Sequence, residues 1–156
     1  MNITTNKTII RDADADDAAK ILMLVKELAI YENAEDQVTA SLQSYREHLK
    51  EGKIYCKLAE VDGTIVGMAL YYETFSTWKG RMYYLEDFIV TEKYRRKGIG
   101  KLLINSYLKA AADGGAVLAK WQVLNWNKPA ISFYQKMGAT IEKDWWNVKL
   151  QLHTKS

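Results

Sequence analysis

The segment 94–101 of this chain combines glycines and basic side chains at a spacing that could bind an anion. It reads Tyr-Arg-Arg-Lys-Gly-Ile-Gly-Lys and lies between a β-rich run and a helical pattern. Glycines in such a turn let successive backbone N–H groups point into one space, and the dipole of the following helix adds positive potential. Neighbouring arginines and lysines add charge-assisted hydrogen bonds. The segment therefore predicts a site for phosphate or pyrophosphate, and the alternative is a solvated turn before a helix.

Two familiar phosphate-binding motifs do not fit this segment. A Walker A loop here requires glycine at position 95 and serine or threonine at 102, where the chain has Arg95 and Leu102. A dinucleotide fingerprint that starts at Gly98 requires glycine at 103, where the chain has Leu103. An RNA-binding patch is a further alternative, although the positive charge is local and the net charge of the chain is only +3.

The rest of the chain predicts an α+β fold whose elements position this loop. Alternating and β-rich runs predict strands at 8–11, 54–61, 64–74, 81–90 and 116–124, and a closing strand region at 139–152. Helical spacing of apolar residues predicts helices that end near 33, 52, 114 and 137. A strand, a helical crossover and a second strand usually form a parallel pair, so we expect 81–90 and 116–124 to be parallel in a mixed sheet.

Local signals set several of these boundaries. Asp14 with Asp17 forms a capping-box pattern at the start of the first helix, and Thr39 can cap the second helix. The Asp-Gly pair at 62–63, between two β-rich runs, predicts a hairpin. Gly67 inside the second strand of that hairpin predicts a bulge.

Composition predicts one cytosolic domain that spans 1–156. Apolar residues make up 48% of the chain, which is enough to fill a core. No apolar run approaches the ~18 residues of a membrane span, and residues 1–11 lack the pattern of a signal peptide. The single Cys56 cannot form an internal disulfide, and His48 and His153 lie far from it in sequence, so we expect no metal site. We expect neither a nucleic acid nor a membrane as partner.

Arg95, Gly98 and Gly100 fill the fixed positions of R/Q-x-x-G-x-G/A, the acetyl-CoA loop of the GCN5-related N-acetyltransferases, or GNAT family. Four further segments match one branch of that family: Lys-Glu-Leu-Ala-Ile-Tyr-Glu at 26–32, Thr-Trp-Lys-Gly at 77–80, Tyr-Leu-Glu-Asp-Phe-Ile-Val at 84–90 and Trp-Asn-Lys-Pro-Ala-Ile-Ser-Phe-Tyr at 126–134. From Ile10 to about Lys149, the chain resembles the diamine acetyltransferases, which include spermidine/spermine N1-acetyltransferase and thialysine acetyltransferases.

The resemblance implies a twisted, mostly antiparallel mixed sheet flanked by helices, with acetyl-CoA entering between two splayed parallel strands. The loop's backbone amides would hold the CoA pyrophosphate, the strand before the loop would pair with the pantetheine, and a turn after residue 126 would make a second contact. The residues implied at acetyl-CoA are Phe88, Ile89, Val90, Arg95, Arg96, Lys97, Gly98, Ile99, Gly100, Lys101, Asn127, Lys128, Pro129 and Ala130. For Asn127 the alternative is an ordinary helix cap.

The resemblance also implies two catalytic residues. Tyr134 matches the general acid that protonates the departing CoA thiolate, and a tyrosine with a pKa of ~10 keeps its proton at neutral pH. Its alternative is a core residue, since Ile131 and Met137 share its helix face. Glu86 matches the carboxylate that removes a proton from the amine through water, and Asp87 should point to the opposite face of the strand unless a bulge intervenes.

The remaining implied residues bind the acceptor: Tyr31, Glu32, Glu86, Asp87, Lys120, Trp121, Gln122 and Trp146. The chain departs from the family at Arg96, where glycine is usual, and the shorter segment 141–146 leaves Trp145 as the alternative to Trp146. The expected function is acetyl transfer from acetyl-CoA to a primary amine of a small polyamine or diamine by direct attack, in a homodimer. The alternatives are a lysine-like acceptor such as thialysine, and an acetyl-CoA-binding regulatory module.

Overall fold

The computed structural model describes residues 7–153, so the first six and last three residues lie outside the description that follows. The chain divides into two compact units, the first through Gln122 and the second from Val123. No helix among the described residues is long and apolar enough to cross a membrane.

The first unit is built on a five-stranded sheet whose strand order is the same as the chain order. The strands are β1 (Thr8–Asp12), β2 (Tyr55–Val61), β3 (Thr64–Ser76), β4 (Gly80–Val90) and β5 (Leu118–Trp121). The helices of this unit are α1 (Ala18–Tyr31), α2 (Leu42–Lys50) and α3 (Ile99–Asp113). The first four strands pair antiparallel, and β5 pairs parallel to β4. The mixed sheet with its parallel pair is therefore confirmed.

Both faces of this sheet carry helices. On one face, α1 contributes to a buried cluster that consists of Ile21, Leu24, Cys56, Leu58, Met68, Leu70 and Ile89. On the other face, the ring of Tyr107 on α3 packs against Tyr71 at a centroid distance of 5.2 Å. The Tyr107 hydroxyl donates to the carbonyl of Tyr83 at 2.8 Å, so this buried polar group is satisfied.

Two local predictions are confirmed at the atomic level. The backbone N–H of Asp16 donates to the Asp14 side chain at 2.8 Å, and the N–H of Asp14 donates to Asp17 at 2.9 Å. This capping box closes a short 3-10 turn that leads directly into α1. At the predicted hairpin, Asp62 and Gly63 have φ values of 50° and 79°, the left-handed pair that a two-residue turn with matching strand twist requires.

The predicted irregularity at Gly67 is also present. Ala59 pairs with Gly67 and Glu60 pairs with Ile65, so Val66 is an extra residue in β3. A Cβ on Gly67 would lie 2.8 Å from the carbonyl oxygen of Ile89 on β4. Glycine is needed here because the two backbones approach too closely for any side chain.

Three boundaries differ from the sequence prediction. Ser41 caps α2 rather than Thr39, because its Oγ accepts from the N–H of Ser44 at 3.1 Å and it directly precedes the first helical residue. Strand β5 occupies only Leu118–Trp121 of the predicted 116–124. The closing strand at 139–152 is wrong: in the described part of the second unit, residues 123–153, no strand forms.

The apolar alternation at the end of the chain explains the last error. Val148, Leu150 and Leu152 alternate with polar residues, yet they are 96%, 86% and 76% exposed. Alternation describes a strand with one buried face, but a strand forms only where a neighbouring backbone satisfies its N–H and C=O groups. The second unit contains instead one regular helix among its described residues, α4 (Lys128–Lys136).

Candidate active site

The predicted anion loop connects β4 to α3. A 3-10 turn (Glu92–Tyr94) follows β4, and the chain then reaches α3 through two left-handed positions, Arg96 with φ 64° and Gly98 with φ 82°. Glycine adopts such a conformation without penalty, whereas a residue with a Cβ pays of order 1 kcal/mol. Arg96 therefore adopts a strained backbone conformation at the position where the family resemblance implies glycine.

The arginine of the loop motif holds the loop to its neighbours. Arg95 Nε donates to the carbonyl of Val90 at 2.7 Å, which closes the loop onto the end of β4. The Arg95 guanidinium also lies over the ring of Tyr31 at 5.3 Å, a cation–π contact with the end of α1. From the sequence, Arg95 was assigned to the bound anion and Tyr31 to the acceptor, and no contact between them was predicted. A sequence motif specifies the spacing of residues but not the direction of their side chains.

The glycines of the loop leave space beside the first turn of α3. A Cβ on Gly98 would meet no atom within 4 Å, and one on Gly100 would meet the Phe88 ring at 3.5 Å and Val90 at 3.8 Å, both ordinary contact distances. The first turn of α3 contains no acidic residue, and Arg96, Lys97 and Lys101 are exposed around it. A helix N-terminus with a glycine cradle and surrounding cations fits the chemistry of a pyrophosphate.

Strand β4 extends past its parallel neighbour. Its register with β5 runs from Met82 opposite Leu118 to Leu85 opposite Trp121, and β4 then continues to Val90. Phe88, Ile89 and Val90 therefore lie beyond the end of β5, and Ile89 is buried against the α1 cluster. The side chains of Phe88 and Val90 lie next to Gly100, since a Cβ added to this glycine would be 3.5 Å from Phe88 and 3.8 Å from Val90.

A bulge interrupts β4 at the predicted carboxylates. Leu70 pairs with Asp87 and Tyr71 pairs with Leu85, so Glu86 is an extra residue with no counterpart on β3. A bulge breaks the alternation of side chains between the two faces. The sequence predicted that Asp87 would point to the opposite face from Glu86 unless a bulge intervened, and the structure contains such a bulge.

The bulge places both carboxylates on one face. Leu70 and Tyr72 lie two residues apart on β3 and so share a face. Asp87 pairs with Leu70, and Tyr84 pairs with Tyr72 and stacks on it at 5.6 Å. The Tyr72 hydroxyl donates to Glu86 Oε2 at 3.0 Å, which brings Glu86 to that same face.

The two carboxylates differ in environment. Glu86 is exposed and accepts the Tyr72 hydrogen bond, whereas Asp87 is partly buried. Burial raises the pKa of Asp87 to about 7, with further contributions from the negative charges of Glu86 and Glu32. Burial also raises the pKa of Glu32, the residue that ends α1. Together these acids form a face with excess negative charge, which suits a cationic ligand.

The stretch 120–122 is divided between the two faces of the sheet. Lys120 pairs with Tyr84 and therefore shares the face of Glu86, and it forms no ion pair with any described carboxylate of the first unit. Trp121 pairs with Leu85 on the other face, where its ring meets Tyr107 edge-on at 6.3 Å. Gln122 is exposed, directly after β5.

The second unit carries the remaining predicted residues. Asn127 caps α4, since its side-chain oxygen accepts from the N–H of Ala130 at 3.4 Å, and Lys128 and Pro129 occupy the first turn. Tyr134 is 7% exposed, and its ring meets Phe133 edge-on. Trp145 is 70% exposed and Trp146 is 91% exposed.

Three other features bear on the chemistry that the chain can perform. Cys56 is 2% exposed, and burial raises the pKa of its thiol, so it is a poor nucleophile. A shallow cleft of about 630 Å³ lies at the hairpin end of β3 and β4, lined by Glu73, Thr74, Phe75 and Arg81, none of which was predicted to function. Among residues 7–153, no group of three or more His, Cys, Asp or Glu side chains is placed to hold a metal ion.

Comparison with known proteins identifies similar sequences and folds. A model of the acetyltransferase (GNAT) family matches residues 21–139. The thialysine N-epsilon-acetyltransferase of Bos taurus is 40% identical over 84% of this chain and 83% of its own length. The human spermidine/spermine N(1)-acetyltransferase-like protein 1 is 35% identical over 87% of this chain, which corresponds to 21% of that longer protein.

Solved structures share the fold at low sequence identity. An aminoglycoside acetyltransferase from an uncultured soil metagenomic sample has a TM-score of 0.79 at 21% identity, covering 93% of this chain and 99% of its own. An aminoglycoside N-acetyltransferase in complex with CoA also has a TM-score of 0.79, at 16% identity, covering 97% of this chain and 100% of its own.

Proposed function

Since the chain belongs to the GNAT family of acetyltransferases, we propose that it transfers the acetyl group of acetyl-CoA to a primary amine of a small diamine or polyamine. The observation that carries the choice of acceptor is the face on which Glu86 and Asp87 lie together. A protonated amine is a cation, and carboxylates on one face are its natural binding partners. The names of the similar acetyltransferases, which refer to thialysine and to spermidine or spermine, support an amine of this kind.

For acetyl-CoA, we propose that the loop 95–101 binds the pyrophosphate through its backbone N–H groups and the cations Arg96, Lys97 and Lys101. The glycine cradle at the start of α3 supports this assignment. The backbone of 88–90 would bind the pantetheine like an added strand, supported by the length of β4 past β5. Residues 127–130 would make the second CoA contact.

For the chemistry, we propose direct attack of the amine on the thioester. Tyr134 would donate a proton to the CoA thiolate, and the family resemblance implies Glu86 as the carboxylate that receives a proton from the amine through water. The buried and poorly acidic thiol of Cys56 supports a mechanism without an acyl-enzyme. The acceptor would be held by Tyr31, Glu32, Glu86, Asp87, Lys120, Trp121, Gln122 and Trp146.

A second acceptor class is favoured by one specific observation. Lys120 lies on the face of Glu86, and no described carboxylate of the first unit neutralises it. A lysine-like amino acid such as thialysine carries both an ammonium and a carboxylate, so it would match Glu86 and Lys120 together. A polyamine carries no carboxylate and would gain nothing from Lys120.

We further propose that the chain acts as one cytoplasmic domain, 1–156, in a homodimer. The family model spans 21–139 and so includes parts of both units, which supports one catalytic domain. Phe75 and Trp78, near the tip of the β3–β4 hairpin, are 68% and 82% exposed, and large exposed apolar groups are frequent at subunit contacts. The clustered cations are confined to the loop near Lys97, so a nucleic acid is not part of this proposal. Light scattering of the purified chain tests the dimer directly.

Release of CoA thiol from acetyl-CoA tests the proposed function. The acceptors are putrescine, spermidine, spermine, lysine, thialysine and one aminoglycoside. Saturable release with the polyamines supports the first acceptor class, and release with lysine or thialysine alone supports the second. Tight binding of acetyl-CoA with no release on any amine would overturn the enzymatic proposal and favour a regulatory acetyl-CoA-binding module.

A further inference from the structure

The bulge in β4 gives two neighbouring carboxylates on one face distinct surroundings. Glu86 is exposed and accepts a hydrogen bond from the Tyr72 hydroxyl at 3.0 Å. Asp87 pairs with the buried Leu70 and lies two residues before the buried Ile89, so it faces the edge of the α1 cluster. Glu86 therefore faces solvent, whereas Asp87 lies where burial disfavours a charge.

On the basis of the proposed acetyl transfer, we propose that Asp87, rather than the Glu86 that the family resemblance implies, is the proton acceptor for the amine, while Glu86 binds the cation. Two carboxylates can have these separate roles toward one amine because the bulge places both on the same face of the sheet. Without the extra residue, Asp87 would lie on the opposite face from Glu86, and only one of the two carboxylates could contact the same ammonium.

The groups around Asp87 are acidic or uncharged. Those that interact with it lie directly after α1 and on α2, β2, β3 and β4, and they are Glu32, Tyr45, Cys56, Tyr72 and Glu86. None of them carries a positive charge that would favour the ionised form of Asp87. Burial and the two neighbouring carboxylates raise the pKa of Asp87 to about 7. At this value the carboxylate is ~10³-fold more basic than an ordinary aspartate, and it is still partly ionised at neutral pH.

The proton balance defines the role. An alkylammonium, with a pKa of ~10.4, has no lone pair and cannot attack. Transfer of one N–H proton to the Asp87 carboxylate gives the neutral amine and a carboxylic acid. The amine lone pair then forms the N–C bond to the acetyl carbon, and the C–S bond breaks with its electron pair on sulfur. Tyr134 gives its proton to the sulfur, and the second nitrogen proton, lost as the amide forms, passes through solvent to restore the Tyr134 hydroxyl. Asp87 finally releases its proton to solvent, so one proton is released for each amine acetylated.

Carbon-detected NMR titration of the aspartate carboxyl carbons tests the proposal without substrate. Asp87→Asn identifies the Asp87 resonance by its loss. We expect the unaltered protein to show a midpoint near 7 for this resonance. In Glu86→Gln the midpoint should move to lower pH, because a like charge has been removed. A midpoint near ~4 in the unaltered protein would overturn the proposal.

The pH dependence of kcat/KM, with an accepted amine, tests the same role during turnover. We expect an acidic limb whose midpoint follows the NMR midpoint of Asp87 and moves with it in Glu86→Gln. Asp87→Asn should lose this limb and lower kcat about 10²-fold or more, with unchanged affinity for acetyl-CoA. If the unaltered protein is active and the acidic limb survives in Asp87→Asn, the role of Asp87 is overturned and the proposed acetyl transfer is not. Absence of acetyl transfer by the unaltered protein would overturn the proposed function itself.

Discussion

Asp87→Asn should change how the stability of the protein depends on pH. The pKa of Asp87 rises from its ordinary 3.8 to about 7 in the folded chain. Between these values the folded state binds more protons than the unfolded state, so the free energy of unfolding falls as pH rises. At ~1.36 kcal/mol for each tenfold change in acidity, the loss approaches about 4 kcal/mol, reduced where water screens the partly buried carboxylate. Asparagine cannot ionise, so in Asp87→Asn residue 87 no longer lowers the free energy of unfolding as the pH rises.

Urea unfolding from about pH 4 to pH 8 measures the effect. The difference in unfolding free energy between Asp87→Asn and the unaltered protein should shift in favour of the variant by about 2–4 kcal/mol over that range. Asp62→Asn is the matched control, because Asp62 is exposed in the hairpin turn and asparagine suits its φ of 50°. Parallel stability curves for Asp87→Asn and the unaltered protein would refute the assigned environment of Asp87.

Three further outcomes are expected. Tyr134→Phe should lower kcat by about 10²–10⁴-fold and leave the dissociation constant for acetyl-CoA unchanged, and equal turnover would contradict the acid role. Lys120→Met should raise KM for lysine or thialysine about tenfold and leave KM for a diamine unchanged; an equal effect on both would show that Lys120 does not read a carboxylate. Gly67→Ala should lower the free energy of unfolding by about 1–3 kcal/mol in urea, because its Cβ would lie 2.8 Å from the Ile89 carbonyl oxygen; native stability in this variant would mean that β3 and β4 separate at little cost.

Sequence reasoning succeeded where the determining interactions are local. The capping box at Asp14 and the turn at 62–63 depend on residues that are near neighbours, and their patterns specify both geometry and position. The parallel pairing of β4 and β5 follows from the helical crossover that connects them and needed only the order of the elements. The chain composition was sufficient to predict a filled core, and the buried clusters on both faces of the sheet bear this out.

The details that decide the candidate site depend on contacts between distant residues. The bulge at Glu86 is set by the register against β3, and the sequence of β4 alone does not reveal which residue is extra. The contact of Arg95 with Tyr31 likewise depends on where the end of α1 lies. The error at 139–152 has the same origin, since a strand requires a partner that its own sequence cannot supply.

The order of the strands has a consequence for how the chain folds. Strands β1 to β4 follow one another in the sheet as they do in the sequence, and β2, β3 and β4 are joined only by short turns. Short loops close at small entropic cost, and hairpins form in ~1–10 μs, so the β2–β4 meander should assemble early. Strand β5 can join only after the crossover through α3 is complete. During synthesis on the ribosome, the antiparallel part of the sheet therefore emerges first, and the strand that completes the parallel edge arrives last.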